Sequence, residues 1–70
     1  MRVIDLFCGV GGASFGFKNA GFKVVLAVDI DKNALECYKV NHPEVSTLQK
    51  DILDLSVGDL PQADVILGST

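Results

Sequence analysis

Residues 23–28 read KVVLAV, a run in which Lys23 is the only polar residue and valine holds three positions. It is too short for an ordinary helix, and it lacks the alternation of a strand with one wet face. A β-branched run of this kind suits a strand buried on both faces, the condition met in parallel sheets. Parallel neighbours cannot be joined by a tight hairpin and need a crossover of about a dozen residues or more, usually helical. This one run therefore demands strand, helix and strand on either side of it.

The flanking sequence meets that demand. Residues 2–6, RVIDL, form a short buried strand that the glycines from Gly9 to Gly12 end sharply. In GASFGFKNAG, residues Ala13, Phe17 and Ala20 share one helical face, and Gly21 stands as the C-terminal stop. Gly16 inside that helix costs about 1 kcal/mol against Ala, which predicts close packing there. Asp31 is a suitable N-cap for a helix over 32–41, with Ala34, Leu35 and Tyr38 as its apolar stripe. Pro43 ends it, and His42 is read as a helix-exit residue. A weaker strand over 45–49 follows, then a mixed connection over 52–63 with room for about one helical turn, and a last strand over 64–68. The order β-α-β-α-β-turn-β predicts an α/β fold: a partial doubly wound, Rossmann-like parallel sheet with strand order 3-2-1-4. Right-handed crossovers put both helices on one face and leave the other with almost no cover.

Composition narrows the function classes. A chain of 70 residues, 49% hydrophobic, makes one small globular domain at most. Its apolar runs are too short to span a membrane, and no secretory signal pattern opens it, so a cytoplasmic protein is expected. Net charge is −3 and the six basic residues are scattered, unlike a surface that grips nucleic acid by itself. Cys8 and Cys37 lack the spacing of a metal site or a disulfide framework, and both are read as packing residues. No metal site is expected.

The glycine turn allows two readings. A strand that ends in glycines and opens a helix presents bare N–H groups and a positive dipole end to a ligand; it also serves as a tight turn holding nothing. The dinucleotide pattern G-x-G-x-x-G fits at Gly9 and Gly11 but fails at Ser14, and the lysine of a P-loop is missing. Asp29, 20 residues after Gly9, stands at the carboxyl end of the second strand, where open α/β sheets bind ligands. It can accept from two ribose hydroxyls or simply start the next helix, although Asp31 alone suffices for that second role. Asp51 follows the third strand. Two carboxylates with few phosphate-binding devices suit a nucleoside bearing positive charge, a description that S-adenosylmethionine fits.

On these residues the sequence resembles the N-terminal part of the DNA (cytosine-5) methyltransferases. DLFCGVGG at 5–12 matches the family's D-L-F-x-G-x-G-G at every fixed position, VDIDKNALECYKVNHP at 28–43 its second block, and DI at 51–52 its third. DVILGS resembles the strand that leads to the family's catalytic Pro-Cys. The resemblance implies that Phe7 and Ile30 lie on the two faces of adenine, and that Asp29 takes the ribose hydroxyls. It also implies that Asp51 and Ile52 meet the adenine edge. Gly9 and Gly11 let the backbone approach the methionine part of S-adenosylmethionine, with Gly12 in the same cofactor turn.

In that family a cysteine thiolate adds to C6 of a flipped cytosine, and C5 then takes the methyl group. The resemblance places that cysteine downstream, so Cys8 is not the nucleophile and no catalytic residue is expected within 1–70. DNA contact likewise belongs to downstream regions. The 70 residues are expected to be an incomplete part of a cofactor-binding domain, inactive alone and completed by the remainder of the methyltransferase. The alternatives are an inactive binding or interaction module, the tRNA-modifying branch of the family, and, more distantly, a nicotinamide or flavin half-domain.

Overall fold

The apolar run that demanded a parallel sheet lies at the centre of one. The computed structural model describes residues 1–68. Its elements are β1 (Arg2–Leu6), α1 (Gly12–Asn19), β2 (Lys23–Asp29), α2 (Lys32–Asn41), β3 (Ser46–Gln49) and β4 (Val65–Gly68). Two 3-10 turns, Ile52–Asp54 and Val57–Asp59, separate β3 from β4. Every pairing is parallel and the order is β3-β2-β1-β4, the expected topology. Among the described residues no helix is long and apolar enough to cross a membrane.

β1 and β2 are not in simple register. Val3 pairs with Val24 but Ile4 pairs with Leu26, so Val25 is one residue in excess. The bulge lets Val25 and Leu26 both join Ile4 and Val28 on one face of the sheet, while Val24 and Ala27 join Val3 on the other. An uninterrupted apolar run suits this arrangement, because strict alternation would put a polar side chain into one layer.

Both helices cover the face of Val3, Val24 and Ala27, where Leu35, Tyr38 and Phe17 complete one cluster. Asp31 caps α2 as expected, its carboxylate accepting from the N–H groups of Asn33 at 2.9 Å and Ala34 at 3.3 Å. The other face is better covered than expected. Leu55, Leu60 and Ala63, from the irregular connection, pack on Ile4, Leu26 and Val28 and leave those three almost fully buried. Apolar residues spaced along an extended chain can cover a sheet without a helix.

Three local expectations are corrected. Of the face expected for α1, Phe17 packs half-buried on the core cluster, whereas Ala13 and Ala20 are exposed and Ser14 is the fully buried residue. Ser14 is drawn in by polar partners: its hydroxyl donates to Asp5 Oδ2 at 2.6 Å and accepts from the Tyr38 hydroxyl at 2.7 Å. With the helix turned this way, a Cβ at Gly16 would meet nothing within 4 Å, so the expected close contact is absent among the described residues. Cys37 does not pack, because it lies on the exposed side of α2.

Candidate cofactor crevice

The carboxyl ends of β1, β2 and β3 lie side by side and enclose a crevice of about 250 Å³. Leu6 and Val28 form its floor as the last apolar residues of their strands, and Phe7, Asp29, Ile30, Lys50, Asp51 and Ile52 form the rest. Five of the residues expected to touch a cofactor, Phe7, Asp29, Ile30, Asp51 and Ile52, thus come from three strand ends to one place.

The chain reaches this geometry by a costly turn. Phe7 adopts φ 56°, a left-handed conformation rare for a bulky side chain. Holding it there costs on the order of 1–3 kcal/mol. The turn takes the ring out of the sheet and leaves it 41% exposed beside the crevice. The Cys8 N–H donates to Val28 O at 3.1 Å, and the Gly9 N–H to Asp29 Oδ2 at 2.8 Å, so the turn is fastened to the end of β2. Gly9 has φ 56° and faces open space, with nothing within 4 Å of a Cβ placed there.

Asp29 is the hub. Its second oxygen accepts from the Asp31 N–H at 2.9 Å, and its carbonyl accepts from the Lys50 N–H at 3.0 Å. Each carboxylate oxygen has further accepting capacity beyond the one N–H it holds. Asp51 begins the first 3-10 turn by accepting from the Leu53 N–H at 3.0 Å through Oδ1. Lys50, the one cation on the crevice wall among the described residues, is paired with Asp59 at 2.9 Å. That ammonium, with the Ser56 N–H, holds the Asp59 carboxyl below its ordinary range.

Gly11 and Gly12 lie elsewhere, in a hollow shared with Val10, Phe15, Asn41 and His42. A Cβ on Gly11, whose φ is 100°, would come within 2.5 Å of His42 Nε2. Glycine is required at this position by packing inside the protein, whatever lies outside it. His42 ends α2 as expected, yet its side chain is 98% buried, since only 2% is exposed. Sequence reasoning missed that role, together with Ser14 and the wall contributed by Lys50. The Lys50–Asp51 adjacency was a usable signal for the last; nothing local pointed to the first two. Cys8 is buried, and desolvation with Asp5 and Asp29 nearby pushes its thiol up to about 12, which favours the protonated form at neutral pH.

A sequence profile described as C-5 cytosine-specific DNA methylase matches residues 1–70. The chain belongs to that family. Among its relatives, the Type II methyltransferase M.DdeI of Desulfomicrobium norvegicum is 48% identical over 60 residues, covering 86% of this chain and 14% of the relative. A solved E. coli structure, described as a DNA modification methyltransferase encoded within a prophage, superposes with a TM-score of 0.89 at 39% identity. That match covers 97% of this chain and 22% of the other. The plantazolicin methyltransferase BpumL, solved in complex with SAH, has a TM-score of 0.73 at 21% identity over 94% of this chain and 26% of that one, a likeness of fold alone. The chain thus spans less than a quarter of the length of the family relatives named here. The expected fold and family both stand.

Proposed function

We propose that this chain is the S-adenosylmethionine-holding, N-terminal part of a cytosine-5 DNA methyltransferase of the restriction–modification kind. The observation that carries the reading is the crevice, where two carboxylates and two large exposed apolar residues meet beside a glycine turn. At about 250 Å³ it is smaller than the roughly 300–1,000 Å³ of a pocket for a whole drug-sized ligand, and it suits one end of a molecule. Its acidity favours a cationic nucleoside over a pyrophosphate, since Lys50 on its wall is already paired with Asp59.

When bound, S-adenosylmethionine supplies a methyl group activated by its sulfonium. Phe7 and Ile30 would hold the adenine between them, and Asp29 would accept from the ribose hydroxyls through its unused lone pairs. Asp51 would accept from the adenine amino group, with the Ile52 backbone beside it. Gly9, open on its outer side, would admit the methionine part toward Gly11, Gly12 and the start of α1. Fixing the donor in this way makes the transfer effectively intramolecular for a base presented by the rest of the enzyme. The nucleophile, the DNA contacts and the target-recognition region belong to that remainder, in the same or a second polypeptide; the relatives' greater length supports this division.

The test is titration of the natural protein with S-adenosylhomocysteine and, separately, with NAD. Saturable binding of the first alone is expected. Asp29→Asn, which cannot accept at both oxygens, should weaken it by roughly ten- to a hundredfold, the worth of a charge-assisted hydrogen bond. Preference for NAD, or binding indifferent to Asp29, would discard the reading.

A further inference from the structure

The geometry points to His42 as a positioning residue for the cofactor turn: it holds the Gly11 peptide from behind without touching the ligand. This inference rests on the functional reading above, because it assigns what shapes the turn assigned there to the donor.

Five observations converge on it. His42 Nε2 lies 2.9 Å from Gly11 O, and a carbonyl can only accept, so Nε2 carries the proton. Nδ1 is therefore the lone-pair nitrogen, and it faces Lys18 Nζ at 2.8 Å, which donates to it. Lys18 is in turn ion-paired with Glu44. The ring is thus fixed in one tautomer from both sides. It also rests on the Tyr38 ring at a centroid distance of 4.6 Å, and it fills the space that a Cβ on Gly11 would need.

The neighbouring residue does similar work. Asn41 Nδ2 donates to Val10 O at 3.1 Å, so the end of α2 grips two successive carbonyls of the turn. In a trans peptide the N–H points opposite to the C=O. With Gly11 O held toward His42, the Gly12 N–H must point away from it. That N–H belongs to the first residue of α1 and has no intrahelical partner. Gly11 O also accepts from the Phe15 N–H at 3.0 Å, so His42, 31 residues away along the chain, acts together with α1 itself to fix where a donor at the helix start, unpaired among the described residues, is aimed.

The test uses the natural protein and three variants, with S-adenosylhomocysteine as the probe. His42→Leu fills the space without donating; His42→Gln can donate to Gly11 O and accept from Lys18. His42→Leu is expected to weaken binding on the order of tenfold or more, as second-layer supports of a site do, while His42→Gln stays within about threefold of the parent. Nitrogen NMR of the imidazole should show Nε2 protonated and Nδ1 bare in the parent. Equal affinity in His42→Leu, no rescue by Gln, or a proton on Nδ1 instead would each overturn the assignment. If His42→Leu does not fold, Lys18→Met takes its place: it frees Nδ1, and weaker binding with a mixed tautomer is expected, whereas no change in either overturns the assignment. A parent protein that ignores S-adenosylhomocysteine but shows the expected tautomer would defeat the functional reading and leave the clamp geometry intact.

Discussion

Phe7 is strained where most residues are relaxed, and the strain has a use. Its left-handed backbone costs stability, yet it turns a large ring away from the core to the edge of the crevice. Asparagine tolerates that backbone region and lacks the ring. Phe7→Asn is therefore expected to keep or raise stability, within about 1 kcal/mol by chemical denaturation, while weakening S-adenosylhomocysteine binding on the order of tenfold. A loss of stability with binding unchanged would mark the ring as core filler instead. Cys8, next in sequence, shows the opposite economy: buried and held as a thiol, it serves the fold.

Between elements, the polar chain Tyr38–Ser14–Asp5 ties α2, α1 and β1 together inside an otherwise apolar layer. Burial raises the Asp5 carboxyl above its ordinary range; the Ser14 hydrogen bond opposes this only in part, and Asp5 Oδ1 has no partner among the described residues. The native chain thus binds this proton more tightly than the unfolded chain does. Its stabilising contribution is fully present below the ordinary carboxylate pKa and is lost as pH rises through the raised folded value. In urea titrations across pH, the natural protein should lose stability over that window, and Asp5→Asn should flatten that slope. A slope unchanged in the variant would assign it to another group.

The same network explains what was legible in the sequence. Strands, their order and the Asp31 cap depend on local pattern, and they stand as expected. So does the gathering of five crevice residues, because parallel strands must end side by side. The rotation of α1 was hidden, because a serine takes the fully buried place beside Phe17 only when Asp5 and Tyr38 are both there to bond it. His42 was hidden for a similar reason: its partner Gly11 is distant in sequence, and helix periodicity stops just before it.

At the scale of the molecule, the accessible surface is 4341 Å², close to the roughly 4,200 Å² expected of a folded chain of 7.5 kDa. The chain is packed as tightly as a domain of its size should be. What it exposes is unusual: Val10, Phe15, Ile30, Leu53, Val57 and Ile66 each show more than half their surface. Among the described residues β3 pairs only with β2 and β4 only with β1, so each outer strand presents one open edge. Open edges beside apolar residues invite association. Expressed alone, the 70 residues should sediment as concentration-dependent oligomers, whereas a monodisperse monomer would mean that these surfaces need no further chain to cover them.

Asp29 carries one last consequence. Its two oxygens are already held by the Gly9 and Asp31 N–H groups, so the carboxylate is aimed before anything arrives. Immobilising a mobile side chain during binding costs about 0.5–1.5 kcal/mol. Here that ordering takes place during folding, so the proposed cofactor would find a rigid host: the cost falls on the stability of the protein and would be absent from its affinity.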